Sequence, residues 1–391
     1  MIKKILFIII VIIVSGLSGI IFDRYFFPYL ATTKFFSKYD FLKKSAENVT
    51  VINKTEQVYI KEESSLDKIT NQVSTSIVNI ISYPNPDIKA TQKITNPGQT
   101  KNGAGMIVTS DGLIMTYLSA INYEGSPIKA DQPPANKYKI MSSDGSIYDA
   151  QLQDIDSWSN LAFLKISASN LPVVSFANSD EVKSGEKVVA VGNNQRDYQN
   201  RFASGQIFGL NKTYNLSGKA LSMSDKMEGV FEANADFGQN FVGGPLVDYA
   251  GQVVGILGSI EKESKVDFFG IPSNKAKLVL DRAISKELQN NYQLGIYFIP
   301  VTKTYSLINN LSVDKGALIY SPSGQQGLAI ISGSPASKSD HKINDIITQV
   351  NGEKISDDKS LPDLLYKHKK GEEIELKVIR DKNELSIKVT L

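Results

Sequence analysis

The chain of 391 residues contains no cysteine. That excludes disulfides, a cysteine nucleophile and thiolate-ligated metal sites. It does not fix the compartment, because an extracytoplasmic bacterial protein can also lack cysteine. Histidine is nearly absent: only His341 and His368 occur, both in the last quarter. Nothing before residue 341 can therefore act as an imidazole base or metal ligand. Both histidines lie in polar stretches and are expected at the surface, and no metal site and no cofactor are expected. An excess of one charge is missing too. Lys and Arg total 43 against 41 Asp and Glu, a formal net charge of +2, with no basic block. No nucleic-acid partner is expected from that balance. Short repeats and low-complexity tracts are absent.

The remaining composition is globular. Hydrophobic residues make up 41% and charged residues 21%, and the length suits two to three domains. At the N-terminus Lys3 and Lys4 precede the apolar run Ile5 to Phe22, "ILFIIIVIIVSGLSGIIF". Its length reaches the lower end of what spans a bilayer. A cleaved signal peptide is the competing reading, but the run is long for one and no A-x-A-like cleavage site follows it. An uncleaved single-pass anchor is expected over residues 1–30. The lysines place its N-terminus in the cytoplasm and the bulk of the chain outside. Tyr25, Phe26, Phe27 and Tyr29 suit the outer interface. Residues 31–73 read as a stalk with some helix.

From about Ser74 short β-rich runs follow one another, divided by turn signals. Asp111-Gly112 and Asp144-Gly145 sit between apolar runs, a hairpin signature. Strands at this spacing predict an all-β barrel or sandwich over residues 74–272. "PSNKAKLVLDRAISKEL" predicts a linker helix, about 274 to 288, capped by Ser273 or Asn274, within a boundary segment 273–290. Residues 291–391 form a smaller unit of strands with one helical stretch, "SDDKSLPDLLYKHK".

Four segments carry a resemblance in register: "GAGMIVTSDGLIMT" (103–116), "NLAFLKI" (160–166), "LPVVSFANSDEVKSGEKVVAVGN" (171–193) and "GGPLVDYAGQVVGI" (243–256). Together they resemble the HtrA/DegP-like serine proteases, a trypsin-like double antiparallel β-barrel followed by an α+β PDZ domain, often behind a transmembrane helix. The expected class is mainly β. The resemblance also marks where a catalytic triad belongs, and there the sequence departs. Ser119 stands at the histidine position, Asn160 at the aspartate and Val242 at the serine; Asn240 replaces an oxyanion-loop glycine. Acyl transfer needs a nucleophile, a base and a group that orients the base. Valine has no lone pair, serine is too weak a base near neutral pH, and asparagine carries no charge. A Ser119–lysine dyad is the only evident substitute, and no lysine in the sequence points to one. No catalytic residue is expected.

"YQLGIYF" (292–298) resembles the carboxylate-binding loop of an HtrA-type PDZ domain, and "GSPASKSDHKINDIITQVNGEKI" (333–355) the segment after it. That resemblance makes Leu294, Gly295 and Ile296 the peptide-binding residues, Gly295 turning the amides outward and Ile296 lining a side-chain pocket. "YSPSGQQG" (320–327) departs from the short loop usual there and is a candidate to cover or reshape the groove.

Three functions follow. The first is a membrane-anchored, proteolytically inactive protein at the bacterial cell membrane. It binds exported or misfolded polypeptides, through their C-termini, as adaptor, chaperone or regulator in envelope quality control. The resemblance implies a homo-trimer or association with active relatives. The second is an active endopeptidase with an unconventional site. The third is a structural envelope interaction protein.

Overall fold

The structure, a computed structural model, describes residues 69–84, 100–121, 136–193, 200–216, 221–262, 265–288 and 293–391, and isolated positions between 15 and 29. The chain divides into two units, Met1–Lys68 and Ile69–Leu391. In the first, Ser18 Oγ donates to the Ser15 carbonyl at 2.9 Å and the rings of Phe22 and Phe26 approach to 4.5 Å. Most of the expected anchor and stalk lies outside the described residues. No helix among the described residues is long and apolar enough to cross a membrane.

The second unit is mainly β. Strands β1 (Ile77–Pro84), β2 (Lys101–Ile107), β3 (Leu113–Tyr117), β4 (Asn136–Met141), β5 (Ile147–Ile155) and β6 (Leu161–Ile166) close a barrel in the order β1-β2-β3-β6-β5-β4. Both Asp-Gly pairs fall where expected, between β2 and β3 and between β4 and β5, with Gly112 and Gly145 at positive φ. Ile80, Met106, Ile114, Phe163 and Leu164 fill this barrel and are buried. Each such side chain contributes about 1.5–3 kcal/mol on leaving water.

After a short helix, α1 (Leu118–Ile121), and the barrel's remaining strands, the chain builds a second barrel. Its strands are β7 (Lys187–Asn193), β8 (Asn200–Asn215), β10 (Glu228–Ala233), β11 (Pro245–Val247), β12 (Val253–Lys262) and β13 (Lys265–Pro272), ordered β10-β13-β12-β11-β7-β8. Val188, Ile207, Phe231, Leu246, Val254 and Leu257 pack its interior. Closing both sheets removes their edges. The two-residue strand β9 (Ser222–Met223) belongs to neither barrel.

Helix α2 (Ser273–Ile284) is shorter than expected. Ala276, Val279, Leu280 and Ala283 recur at helical spacing and are buried. Lys286 takes a left-handed φ of 57°, which stops the helix. The cap also differs from expectation. Ser273 is inside the helix and donates to the Ala177 carbonyl at 2.8 Å, while the Asn274 N–H is received by Ser179 Oγ at 3.0 Å. The cap is therefore supplied by another loop, which no local pattern announces.

The C-terminal sheet contains β14 (Tyr297–Val301), β15 (Gly316–Ile319), β16 (Ile346–Val350), β17 (Glu353–Lys354), β18 (Glu373–Arg380) and β19 (Asn383–Thr390), with helices α3 (Lys303–Asn309) and α4 (Leu361–Leu365). Its order is β19-β18-β16-β15-β14-β9, so β9 completes the edge of this sheet. Residues along "EIELKVIR" alternate in and out, as a strand with one covered face requires. The histidines correct the expectation of exposure. His341 is buried 2.7 Å from Ser339 Oγ, and burial lowers its pKa to about 4, so the ring is neutral. His368 is half-buried with Nδ1 2.7 Å from a Glu372 oxygen. A polar neighbourhood in sequence does not show which side of a turn faces the core.

Candidate functional site

The three positions singled out in the sequence, Ser119, Asn160 and Val242, come from different elements, and each side chain has local work. Ser119 on α1 faces Ser259 of β12, with the two Oγ atoms 2.9 Å apart, so this hydroxyl pair bridges the two barrels. Val242 is fully buried. Asn160 ends the β5–β6 connection at φ 59°, a conformation asparagine tolerates better than most residues. Its carbonyl accepts the Leu118 N–H at 2.9 Å, and its side-chain amide donates to Tyr117 Oη at 3.4 Å. Burial pushes the Tyr117 hydroxyl up to about 12, and its ring stands edge-on to Phe269. No base faces a nucleophile here.

The backbone agrees. Residues Gln239–Phe241 form a 3₁₀ turn, and the Val242 N–H donates to the Gln239 carbonyl at 3.2 Å. The Phe241 N–H donates to the Gly238 carbonyl at 3.0 Å. An oxyanion hole needs amides aimed at empty space where charge develops. The amide of the nucleophile position is committed within its own turn instead. Asn240 lies at the centre of that turn. Gly243 retains the old scaffold: at φ 85° a Cβ there would collide with Thr116 Oγ1 and the Ala104 carbonyl.

A lysine missing from the sequence reading sits beside Asn160. Lys226 Nζ donates to Asn160 Oδ1 at 3.1 Å and to the Ser157 carbonyl. Burial lowers its pKa, opposed by the charges of Asp156 and Asp225. It makes no dyad with Ser119, whose hydroxyl pairs with Ser259. Asp156, fully buried, accepts from the Ser159 N–H at 2.7 Å, Ser159 Oγ at 2.6 Å and Tyr366 Oη at 2.9 Å. Burial raises its pKa against those donors. Tyr366 belongs to the C-terminal sheet unit. Its ring stacks on Trp158 at 3.9 Å and lies 4.5 Å from the Arg282 guanidinium, whose Nη1 donates to the Tyr366 carbonyl at 3.1 Å. The loop that carries Asn160 is thus fastened to the C-terminal unit.

Leu294, Gly295 and Ile296 form the loop that leads into β14. Gly295 takes φ 73°, and a Cβ there would collide with Ser334. Leu294 and Ile296 are fully buried. The amides are turned outward, and the chain's own residues receive them. The Leu294 N–H donates to Asp225 Oδ1 at 3.0 Å, beside the next amide, that of Gly295. The Ile296 N–H donates to Ser224 Oγ at 3.1 Å, and the Ser224 N–H returns to the Ile296 carbonyl at 3.1 Å. Burial raises the Asp225 pKa although these amides pull it down. Strand β9 runs antiparallel to β14, Met223 opposite Tyr297 and Ser222 opposite Phe298. The segment 320–327 does not close this groove. It leads to Ala329 and Ile330, which bond Tyr297 and pair with Ile296 on the β15 side.

Sequence reading did not name Asp156, Ser224, Asp225, Lys226 or Tyr366, which the structure places beside Asn160 and residues 294–296. Two local signals existed. "DSWS" places a serine three residues after an aspartate, an Asx-turn pattern, and "SMSDK" is a polar break between strand runs. Neither says which distant atom it meets.

Comparison with known proteins agrees with this geometry. Residues 103–256 match the trypsin-like peptidase domain model and residues 293–391 the PDZ domain model. A Bartonella henselae protein named as a DegP-like periplasmic serine endoprotease is 31% identical over 297 residues, covering 74% of this chain and 52% of its own. A Synechocystis protein named as a serine protease, HhoB, is 28% identical over 269 residues, covering 69% of this chain and 59% of its own. The chain spans little more than half the length of these curated relatives. Among solved structures, the HtrA-type protease AlgW with a tripeptide superposes with a TM-score of 0.61 at 19% identity, over 82% of this chain and 95% of that one. AlgW with a decapeptide gives 0.58.

Proposed function

From an HtrA/DegP-like chain, a trypsin-like peptidase domain joined to a PDZ domain, we propose a binding protein that no longer cuts. The single observation that carries this reading is the site itself. Ser119, Asn160 and Val242 occupy the triad positions, and the Val242 amide is bonded to Gln239. Neither proton transfer nor oxyanion stabilisation has a group to perform it. What remains is the PDZ loop, which suits an extended polypeptide with a terminal carboxylate. The peptide complexes of AlgW support that role. The ligands are exported or misfolded chains, and the protein acts as adaptor, chaperone or regulator. Relatives named as periplasmic support an extracytoplasmic body, with the N-terminal run as a single-pass anchor. Assembly as a homo-trimer, or with an active relative, belongs to the same reading.

The test is incubation of the purified full chain with casein, beside Ser119→Ala. The expected result is intact casein with both. Fragments from the parent that vanish in Ser119→Ala would establish a rebuilt active site and overturn the proposal.

A further inference from the structure

The residues on the PDZ loop come from the same chain, and they copy a ligand in several respects at once. Ser222 and Met223 run antiparallel to β14 on the edge away from β15. The segment is directed so that its later residues reach the loop, as the end of a bound peptide does. At that end Ser224 exchanges two hydrogen bonds with Ile296, and Asp225 sets its carboxyl on the Leu294 amide. A terminal carboxylate would meet the same donors. The chain does not end at Asp225; it continues through Lys226 into β10, so the side chain supplies the charge that a terminus would.

We propose that Ser222–Asp225 is an internal, displaceable ligand of the PDZ groove. The proposal rests on the peptide-binding reading above. An outside peptide must remove it, because strand edge and amides cannot serve two partners. Only two residue pairs join β9 to β14, and Asp225 remains partly exposed. Such short edge pairings belong to the weakly held parts of a fold. The segment nevertheless competes well, because it is tethered beside the groove at high effective concentration. Binding is therefore reduced by the fraction of molecules in which the groove is empty. Only a peptide with a free carboxylate and a good strand match is admitted.

The absence of cysteine permits a clean test. Met223 and Tyr297 are directly opposite, at cross-strand spacing that a disulfide can span. Met223→Cys with Tyr297→Cys in the full chain, in detergent, should lock the segment when oxidised and free it when reduced. The probe is a labelled synthetic peptide of residues 221–225 with a free terminal carboxylate, and its amidated form as control. The oxidised protein should not bind it and the reduced protein should. Asp225→Ala should bind about tenfold more tightly than the parent, and its amides at Leu294 and Ile296 should exchange about tenfold faster. Peptide binding by the oxidised form, or equal affinity and equal exchange in parent and Asp225→Ala, would overturn the internal ligand. If no form binds the peptide, the peptide-binding reading falls, and the exchange contrast alone decides whether the segment occupies the loop.

Discussion

At Val242 the proposed inactivity has two separate grounds. Its side chain has no nucleophile, and its amide is committed to the Gln239 carbonyl. Val242→Ser alone should yield no casein fragments. It should also lower stability by about 1–3 kcal/mol, because a hydroxyl enters a fully buried position. Urea unfolding measures the second effect. Restoring all three triad types, Ser119→His, Asn160→Asp and Val242→Ser, should still leave cleavage at the parent's baseline while the 3₁₀ turn persists, which a casein assay reads. At this scale the sequence was informative. The residue types at 119, 160 and 242 are local facts that the sequence prints directly. The commitments of Ser119 to Ser259 and of Lys226 to Asn160 are not, since each joins residues far apart in the chain. Gly295→Ala tests the other cluster. At φ 73° and against Ser334 it should cost about 1–3 kcal/mol and abolish peptide binding, measured by unfolding and polarisation.

Between elements, the contact of β10 and α4 carries a buried acid. Glu228 is almost fully buried, and burial raises its pKa from 4.5 to about 8. Oε1 of its carboxyl is buried without a hydrogen-bond partner among the described residues, and the charges of Asp363 on α4 and Lys275 on α2 act on it in opposite senses. Lys275 and Asp363 form a pair of their own at 2.8 Å. The folded chain therefore holds a proton that the unfolded chain releases between pH 4.5 and about 8. This contribution is complete below pH 4.5, is lost as pH rises through about 8, and is level above that. Urea midpoints across this range should fall with pH in the parent and flatten in Glu228→Gln. Strand and helix positions were legible from alternation and helical spacing. The ends of α2 and the burial of His341 were not, because a loop elsewhere supplies the cap and the core claims the ring.

For the whole unit Ile69–Leu391, barrels and C-terminal sheet are joined by β9 on β14 and by Tyr366 on Asp156. Domains in one chain usually unfold separately when their contact is small and polar. Of the contacts that join them, the first continues a sheet and the second satisfies a buried carboxylate, with the Trp158–Tyr366 stack and the Lys275–Asp363 pair beside them. Calorimetry should show one transition for the parent. Tyr366→Phe leaves Asp156 short of a donor, at a cost of about 1–3 kcal/mol. Combined with Asp225→Ala, it should split the transition in two. The double barrel and the PDZ unit were each legible in the sequence; their fastening was not, because "SMSD" reads as an ordinary polar break.

Strand β9 also leaves the ribosome well before its partner. Met223 is complete while Tyr297 is still unmade, so the segment waits without an edge to join. When β14 arrives, the nearest free strand edge need not be its own. The same pairing made between two nascent chains satisfies the same amides, and made reciprocally it closes a swapped dimer without one new contact.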